Sequence, residues 1–343
     1  MASSISSSEI QAPALLYGRI WGWALAMTVA AVLLLESLAR LSGFSGMPAD
    51  DRGLWCLVRH RLREQDPSQV AFIGSSRMQL GLDPDTFASQ FGTKDALQLA
   101  ITGSSPIPVL NHLAHQTGMC GLVVCDLFPL VAFRSDDEEN RMIAEQHVQA
   151  YLARPANMLI ERRMKLFFEM NFACLNSRFR PFKQVSTRIE KGEFEPPSMQ
   201  FGPDRFRRVD YSRVDPRKKE FRMDITRTPI PIPPDRLGDR FQEIEQDVSL
   251  IQARGGRVVF VRFPVSGEFL EMEENLFPRT QYWDAFARQT QGLTIHFQDY
   301  EKLAGFVAPD GSHLDYRDAE KFSLALAAVL TEKLHPTGVA RID

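Results

Sequence analysis

The sequence predicts an α/β fold, a parallel sheet covered by helices, preceded by one membrane-spanning helix. Three observations predict it. Short apolar runs at 69–73, 96–100, 121–125, 257–263 and 293–297 alternate with segments whose apolar residues recur every three or four positions, the rhythm of strands joined by crossover helices. The first two runs lead into small-residue turns, Gly74-Ser75-Ser76 and Gly103-Ser104, as strands do where a parallel sheet presents side chains at its carboxyl edge. Residues 20–35 are sixteen positions without a charge, just under the roughly 17–25 residues of a spanning helix.

In chain order, residues 1–19 form a polar tail with a serine-rich start, and 20–39 form the anchor. Trp21 and Trp23 suit one membrane interface and Glu36 the other. Two other readings stay open. A cleaved secretion signal lacks a small-x-small site after the apolar core. The other reading is an amphipathic or buried helix of a soluble protein, of which the surface-lying form would need a polar face that this segment lacks. Arg19 precedes the span, and Arg40, Arg52, Arg59, Arg61 and Arg63 follow it. The basic-residue rule alone would put the large domain inside, but the nearest flanks, Arg19 and Arg40, balance. Residues 40–67 read as a juxtamembrane linker with a helix over 54–63.

The α/β domain spans 68–335, with an insertion at about 127–235, and 336–343 form a tail. After the first strand come a helix start at Asp83-Pro84-Asp85, the second strand, and a helix over 106–117 carrying Ile107, Leu110, Leu113 and Ala114 on one side. The third strand ends at Asp126. Within the insertion, 138–153 and 155–172 read as helices. Residues 177–222 have no periodicity, with thirteen Lys or Arg against seven Asp or Glu. That composition fits a solvated loop or lid packed by its aromatics, or a surface for anionic lipid, an acidic glycan or nucleic acid. Residues 225–234 (ITRTPIPIPP) are an extended connector. The rhythm then resumes with a helix over 235–254 stopped by Gly255-Gly256, the fourth strand, a helix over 279–288, the fifth strand, and a closing helix over 315–334.

Composition narrows the chemistry. The 343 residues have a net charge of -3, which does not suggest a nucleic-acid partner. Cys56, Cys120, Cys125 and Cys174 show neither metal-ligand spacing nor a disulfide framework. Cys120 and Cys125 read as core thiols, and a single disulfide among the four stays open. His112 and His115 have no carboxylate or thiolate set beside them, so no metal is expected. No glycine-rich nucleotide fingerprint is present, and no cofactor is called for.

The candidate chemistry lies at the sheet's carboxyl edge, where the loops after the strands collect. Ser75 and Ser76 follow the first strand, Gly103 and Ser105 the second, Asp126 the third and Arg262 the fourth. Asp310-Gly311-Ser312-His313 opens the last helix. A serine hydroxyl attacks only when a base takes its proton. His313 is that base for Ser76, and Asp310 can accept the other ring N–H and hold the tautomer. The backbone N–H groups of Ser76 and Gly103 are the oxyanion donors. Arg77, Ser105 and Arg262 are candidate substrate-binding residues, although Arg77 and Arg262 equally suit acidic neighbours within the fold.

These motifs resemble the SGNH, or GDSL-like, hydrolase superfamily. Gly74-Ser75-Ser76 is similar to its nucleophile block, Gly103 to its second block, and Asp310-Gly311-Ser312-His313 to its late Asp-x-x-His block. The opening Gly-Ser-Ser-Arg is most similar to that of membrane-anchored bacterial members. The resemblance covers about 68–335, less the insertion. It implies a flavodoxin-like three-layer sandwich and a serine esterase or O-acyltransferase working on an envelope polysaccharide or related acylated glycan. It also implies an acyl-Ser76 intermediate, an inner-membrane anchor and a periplasmic domain, with envelope-assembly proteins as partners. Two departures stand out. Ser75 replaces the usual aspartate, and Asp126-Leu127-Phe128-Pro129 lacks the asparagine donor of the third block. The second departure keeps open a non-catalytic binding or assembly component. The charges between Arg40 and Arg63 keep open a cytoplasm-facing protein of unrelated function.

Overall fold

The computed structural model describes residues 14–214 and 229–334. Most of the expected polar tail, the C-terminal tail, and 215–228 of the basic stretch and connector lie outside the described residues. The described residues divide into two compact units, a larger one of 48–167 with 198–214 and 229–334 and a smaller one of 14–47 with 168–197.

The larger unit holds the sheet. Its strands are β1 (Val70–Ile73), β2 (Ala96–Gln98), β3 (Leu122–Asp126), β4 (Met199–Phe201), β5 (Arg207–Val209), β6 (Arg257–Arg262) and β7 (Leu293–His296). Five strands pair in parallel in the order β2-β1-β3-β6-β7, and β4 and β5 form a separate antiparallel hairpin. Counted along the chain, the five run 2-1-3-4-5, the order of doubly wound, flavodoxin-like sheets. The strands read as continuous apolar runs because both faces are covered. Ala71, Ile73, Val123, Cys125, Val258 and Phe260 meet the helices Arg52–His60, Ile107–His115 and Leu237–Gln252. Phe72, Val124, Val259, Val261 and Ile295 meet Pro84–Phe91 and Tyr316–Leu334 on the other face. The order reverses between β1 and β3, which opens a crevice at their carboxyl ends.

Two expectations need correction. The juxtamembrane helix, found at Arg52–His60, is part of the sheet domain's core. Asp51 caps it by accepting from the Leu54 N–H at 2.8 Å, and the buried Trp55 donates from Nε1 to the Leu99 carbonyl at 2.9 Å. Its apolar positions cover the sheet, and its flanking arginines misleadingly suggest a membrane edge. The insertion at about 127–235, expected to belong wholly to the α/β domain, is divided, since 168–197 belong to the smaller unit. Within its basic stretch lie the helix Pro181–Lys191 and the β4–β5 hairpin. The helix Gly267–Leu276 had no counterpart in the sequence reading. Only Phe269 and Glu273 on it are buried, too few to draw a stripe. All four cysteines are free.

His112 is buried, with Nε2 accepting from Arg59 Nε at 2.8 Å and Nδ1 2.7 Å from Gln116 Oε1. A neutral ring with its proton on Nδ1 satisfies both contacts. Burial pushes its pKa down to about 4 from 6.5. A depressed histidine binds a proton in the unfolded chain before it does in the folded one. Stability is therefore full above pH 6.5 and falls as the pH drops toward 4, by roughly 3 kcal/mol at most for this group. Urea midpoints of the detergent-solubilised chain across that range are expected to fall, and to fall less in His112→Gln.

In the smaller unit the helix Ala14–Leu41 runs past the expected end at 39, and its stretch Tyr17–Leu41 is long and apolar enough to cross a membrane. Glu36, expected at a membrane interface, accepts from Arg40 Nε at 2.7 Å and from the N–H groups of Ala173 and Cys174 at 3.1 and 2.9 Å. Arg40 also donates to the Asn171 carbonyl at 3.0 Å, and Phe44 meets the Phe179 ring edge-on. The charges at the end of the apolar run thus hold a returning segment of chain.

Candidate active site

β1 delivers the nucleophile. After Ile73 the chain turns at Gly74, where a Cβ would lie 2.7 Å from the Cβ of Asp126. Only glycine lets the loops after β1 and β3 approach this closely. Ser75 then takes the N-cap position, and Ser76 is the first residue of the helix Ser76–Gly81. Its backbone N–H belongs to the first turn, whose donors have no partner within the helix.

Ser76 Oγ lies 2.9 Å from His313 Nε2, and His313 Nδ1 lies 2.9 Å from Asp310 Oδ2. The two contacts join the first strand's loop to the last helix's approach, 237 positions apart. Asp310 is fixed from several sides. Its Oδ1 accepts from the N–H groups of Ser312 and His313 at 2.9 and 2.7 Å, and its Oδ2 also accepts from the Tyr211 hydroxyl at 2.7 Å. Burial works against ionisation of Asp310, but His313, Tyr211 and Ser312 outweigh it and hold the carboxyl well below the usual range. An ionised Asp310 keeps the His313 proton on Nδ1 and leaves Nε2 free to take the Ser76 proton. Gly311 sits at φ +82, where a Cβ would be 2.8 Å from Phe269 Cβ. The glycine therefore permits the turn that aims His313.

The other expected residues divide. Gly103 is exposed at φ +73, and its carbonyl accepts from Asn140 Nδ2 at 2.6 Å. Ser105 is buried, and its hydroxyl accepts from the Ile107 N–H at 3.4 Å, just before the next helix. Arg77 and Arg262 are 1% and 2% exposed, so neither faces a ligand. They enclose Glu273, with Arg262 Nη2 hydrogen-bonded to Oε1 and Arg77 Nη2 at 3.6 Å from Oε2. The Arg77 guanidinium lies 3.3 Å over the Phe128 ring, and its Nε donates to Ser312 Oγ at 3.2 Å. Burial, then the neighbouring Arg262, lower its pKa to about 9, so it stays charged at neutral pH. Asp126 is fully buried beneath the nucleophile loop and accepts from Ser75 Oγ at 3.1 Å. Burial pushes its carboxyl up, opposed by Arg77 and Arg262. The substrate-binding expectation for Arg77, Ser105 and Arg262 gives way to a supporting role, because all three are enclosed by the loops they join.

No protein-family model matches the chain, and no curated protein matches it in sequence.

Several residues escaped the sequence reading. Tyr211 comes from the basic stretch, where no local pattern ties a tyrosine to an aspartate 99 positions away. Asn140 holds the Gly103 loop from the start of a helix. Arg205 is buried at φ +62 and donates to the carbonyls of Gln98 and Ala100 and to Asp50. Arg207 pairs with Asp50, and Arg208 with Asp83 and Asp204. These hairpin arginines thus meet acids of their own fold, which leaves little of their charge for an acidic polymer. Among the described residues, one group of carboxylates, Asp83, Asp85 and Asp204, is close enough to hold an ion. Arg208 already neutralises two of its members. A depression of about 520 Å³, lined by Gln65, Gly118 and Arg254, opens at the amino-terminal edge of the sheet, away from Ser76.

Tyr211→Phe removes one hydrogen bond to a charged acceptor, a contact commonly worth about 1.5–3 kcal/mol. The variant is expected to be about 2 kcal/mol less stable and to acylate Ser76 about tenfold more slowly. Thermal unfolding and the rate of fluorophosphonate labelling measure the two effects.

Proposed function

We propose that this chain is a membrane-anchored serine esterase or O-acyltransferase of the SGNH type, acting on an acylated envelope glycan. The observation that carries this reading is the Ser76–His313–Asp310 relay at the carboxyl edge of a parallel sheet. Ser76 Oγ attacks the ester carbonyl as His313 Nε2 takes its proton. The resulting oxyanion is met by backbone N–H groups, with Ser76 and Gly103 the candidates. Collapse expels the alcohol, which leaves with the proton from His313, and an acyl-Ser76 ester remains. Water or a sugar hydroxyl then gives its proton to His313 and attacks the acyl carbon, and His313 hands that proton to Ser76 Oγ as the acyl–Ser76 bond breaks. An anchor formed by the N-terminal helix would keep the domain beside the envelope, on the periplasmic side of a bacterial inner membrane. Accessibility of a C-terminal tag tests that side.

The loop after β3 favours a second reading. It carries no side-chain donor for an oxyanion, since Asp126 is enclosed and Leu127-Phe128-Pro129 have none. On that reading the fold binds or assembles envelope components without turning over an ester. A fluorophosphonate probe separates the two. The full-length protein is expected to gain one adduct, located on Ser76 by mass spectrometry and absent in Ser76→Ala. Equal background in wild type and Ser76→Ala would favour the binding role.

A further inference from the structure

We propose that the helix Pro181–Lys191 lies in the headgroup layer of the membrane crossed by the N-terminal helix. Phe182, Val185 and Ile189 then enter the acyl boundary, and Lys183 and Arg188 meet anionic lipid phosphates. The inference goes beyond the catalytic reading and rests only on that part of it which makes the N-terminal helix a span.

The helix is inside out for a protein in water. Phe182 is 90% exposed, Ile189 79% and Val185 44%, whereas Gln184 and Thr187 are buried. A water-facing helix places these types the other way round. The inward face is used for hydrogen bonds. Gln184 Nε2 donates to the Glu195 carbonyl at 3.0 Å, and the Glu195 N–H donates back to Gln184 Oε1 at 3.1 Å. At 3.6 residues per turn, positions 182, 185 and 189 fall within an arc of about 60°. Lys183, which also pairs with Glu195 at 2.9 Å, stands about 130° from the middle of that arc on one side, and Arg188 about 90° on the other. An apolar ridge between two long basic side chains is the layout of a helix lying in a membrane interface, with its cations reaching up to the headgroups.

The helix's attachments set its level. It touches the N-terminal helix. The chain leading into it is fastened where the apolar run ends, through Glu36 to Ala173 and Cys174, Arg40 to Asn171, and Phe44 to Phe179. A surface tied to the last turns of a membrane-crossing helix sits at the membrane interface. Between 178 and 191 the chain carries five basic residues and one acidic residue, which matches an anionic leaflet.

The test uses the full-length chain with Cys120→Ser and Cys174→Ser, in vesicles of phosphatidylcholine and phosphatidylglycerol. Nitroxide labels are placed singly at Phe182→Cys, Ile189→Cys, Lys191→Cys and, within the span, Leu25→Cys. At 182 and 189, collision with oxygen is expected to exceed collision with a water-soluble nickel chelate several-fold, as at 25, with the reverse at 191. A label at 25 in the bilayer with one at 189 open to nickel overturns the inference and spares the span. A label at 189 shielded from both reagents means a protein partner or a second copy covers the ridge, which also overturns it. Nickel access at 25 overturns the span, and the inference with it. Leaving out phosphatidylglycerol is expected to lower the ratio at 189, and an unchanged ratio overturns the contact with anionic phosphates.

Discussion

Asp310→Asn is expected to slow acylation of Ser76 by about four orders of magnitude, the size of effect seen when a buried triad aspartate becomes an amide. The local geometry supplies the reason. Asp310 Oδ1 accepts from two backbone N–H groups, so the asparagine must keep its oxygen there. Its NH2 group then takes the place of Oδ2, 2.9 Å from His313 Nδ1. The amide donates to Nδ1, the ring proton moves to Nε2, and the nitrogen facing Ser76 no longer accepts a proton. The fold keeps its contacts except for the Tyr211 hydroxyl, which loses an acceptor at 2.7 Å. His313→Ala reaches a similar rate by removing the base outright. The two changes together should cost little more than either, because the residues act as a unit. Time courses of fluorophosphonate labelling measure all three, and a wild-type rate in Asp310→Asn would dismiss the relay.

The parts of the fold legible in the sequence were those with a strong local pattern. All five parallel strands were legible, because strands buried on both faces are unbroken apolar runs. The helix Leu237–Gln252 was legible from Leu237, Phe241, Ile244, Val248 and Ile251, all of which are buried. The pattern misled where a segment's neighbours were unknown. Arg52–His60 carries the charges of a membrane flank, yet its apolar residues cover the sheet, and Arg59 is buried against His112 and the Tyr151 ring. Pro181–Lys191 escaped detection because its exposed face is the apolar one.

The site divides along a similar line. Ser76, Asp310 and His313 were legible because glycine turns at strand and helix ends leave a mark in the sequence, and the structure brings all three together. Arg77 and Arg262 were legible as charges, but their orientation was not. What turns them inward is Glu273, on a helix with no readable stripe. Tyr211 and Asn140 depend wholly on tertiary contact, and no spacing rule reaches across 99 or 37 residues.

Glu273→Ala is expected to cost about 3–5 kcal/mol, since it strands buried charge that the acid had neutralised. That is a large share of the roughly 5–15 kcal/mol that holds a domain together. Arg77, Arg262, Asp126 and Glu273 are all nearly or fully buried, two basic side chains against two acidic ones. Without Glu273, two guanidinium groups share Asp126 alone, and Arg77 loses the acid that faces its Nη2. Because Arg77 follows the nucleophile and holds Ser312, the strain reaches the relay, and labelling of Ser76 should slow as well. A second variant separates charge balance from lost packing. Arg262→Met with Glu273→Leu removes one charge of each sign, fills similar volume and leaves Arg77 facing Asp126. The double variant is expected to be more stable than Glu273→Ala, although it changes more atoms. Urea denaturation of the two side by side measures the difference. A double variant that unfolds earlier than the single would mean that the Arg262–Glu273 hydrogen bond, and not the balance of charge, holds this layer together.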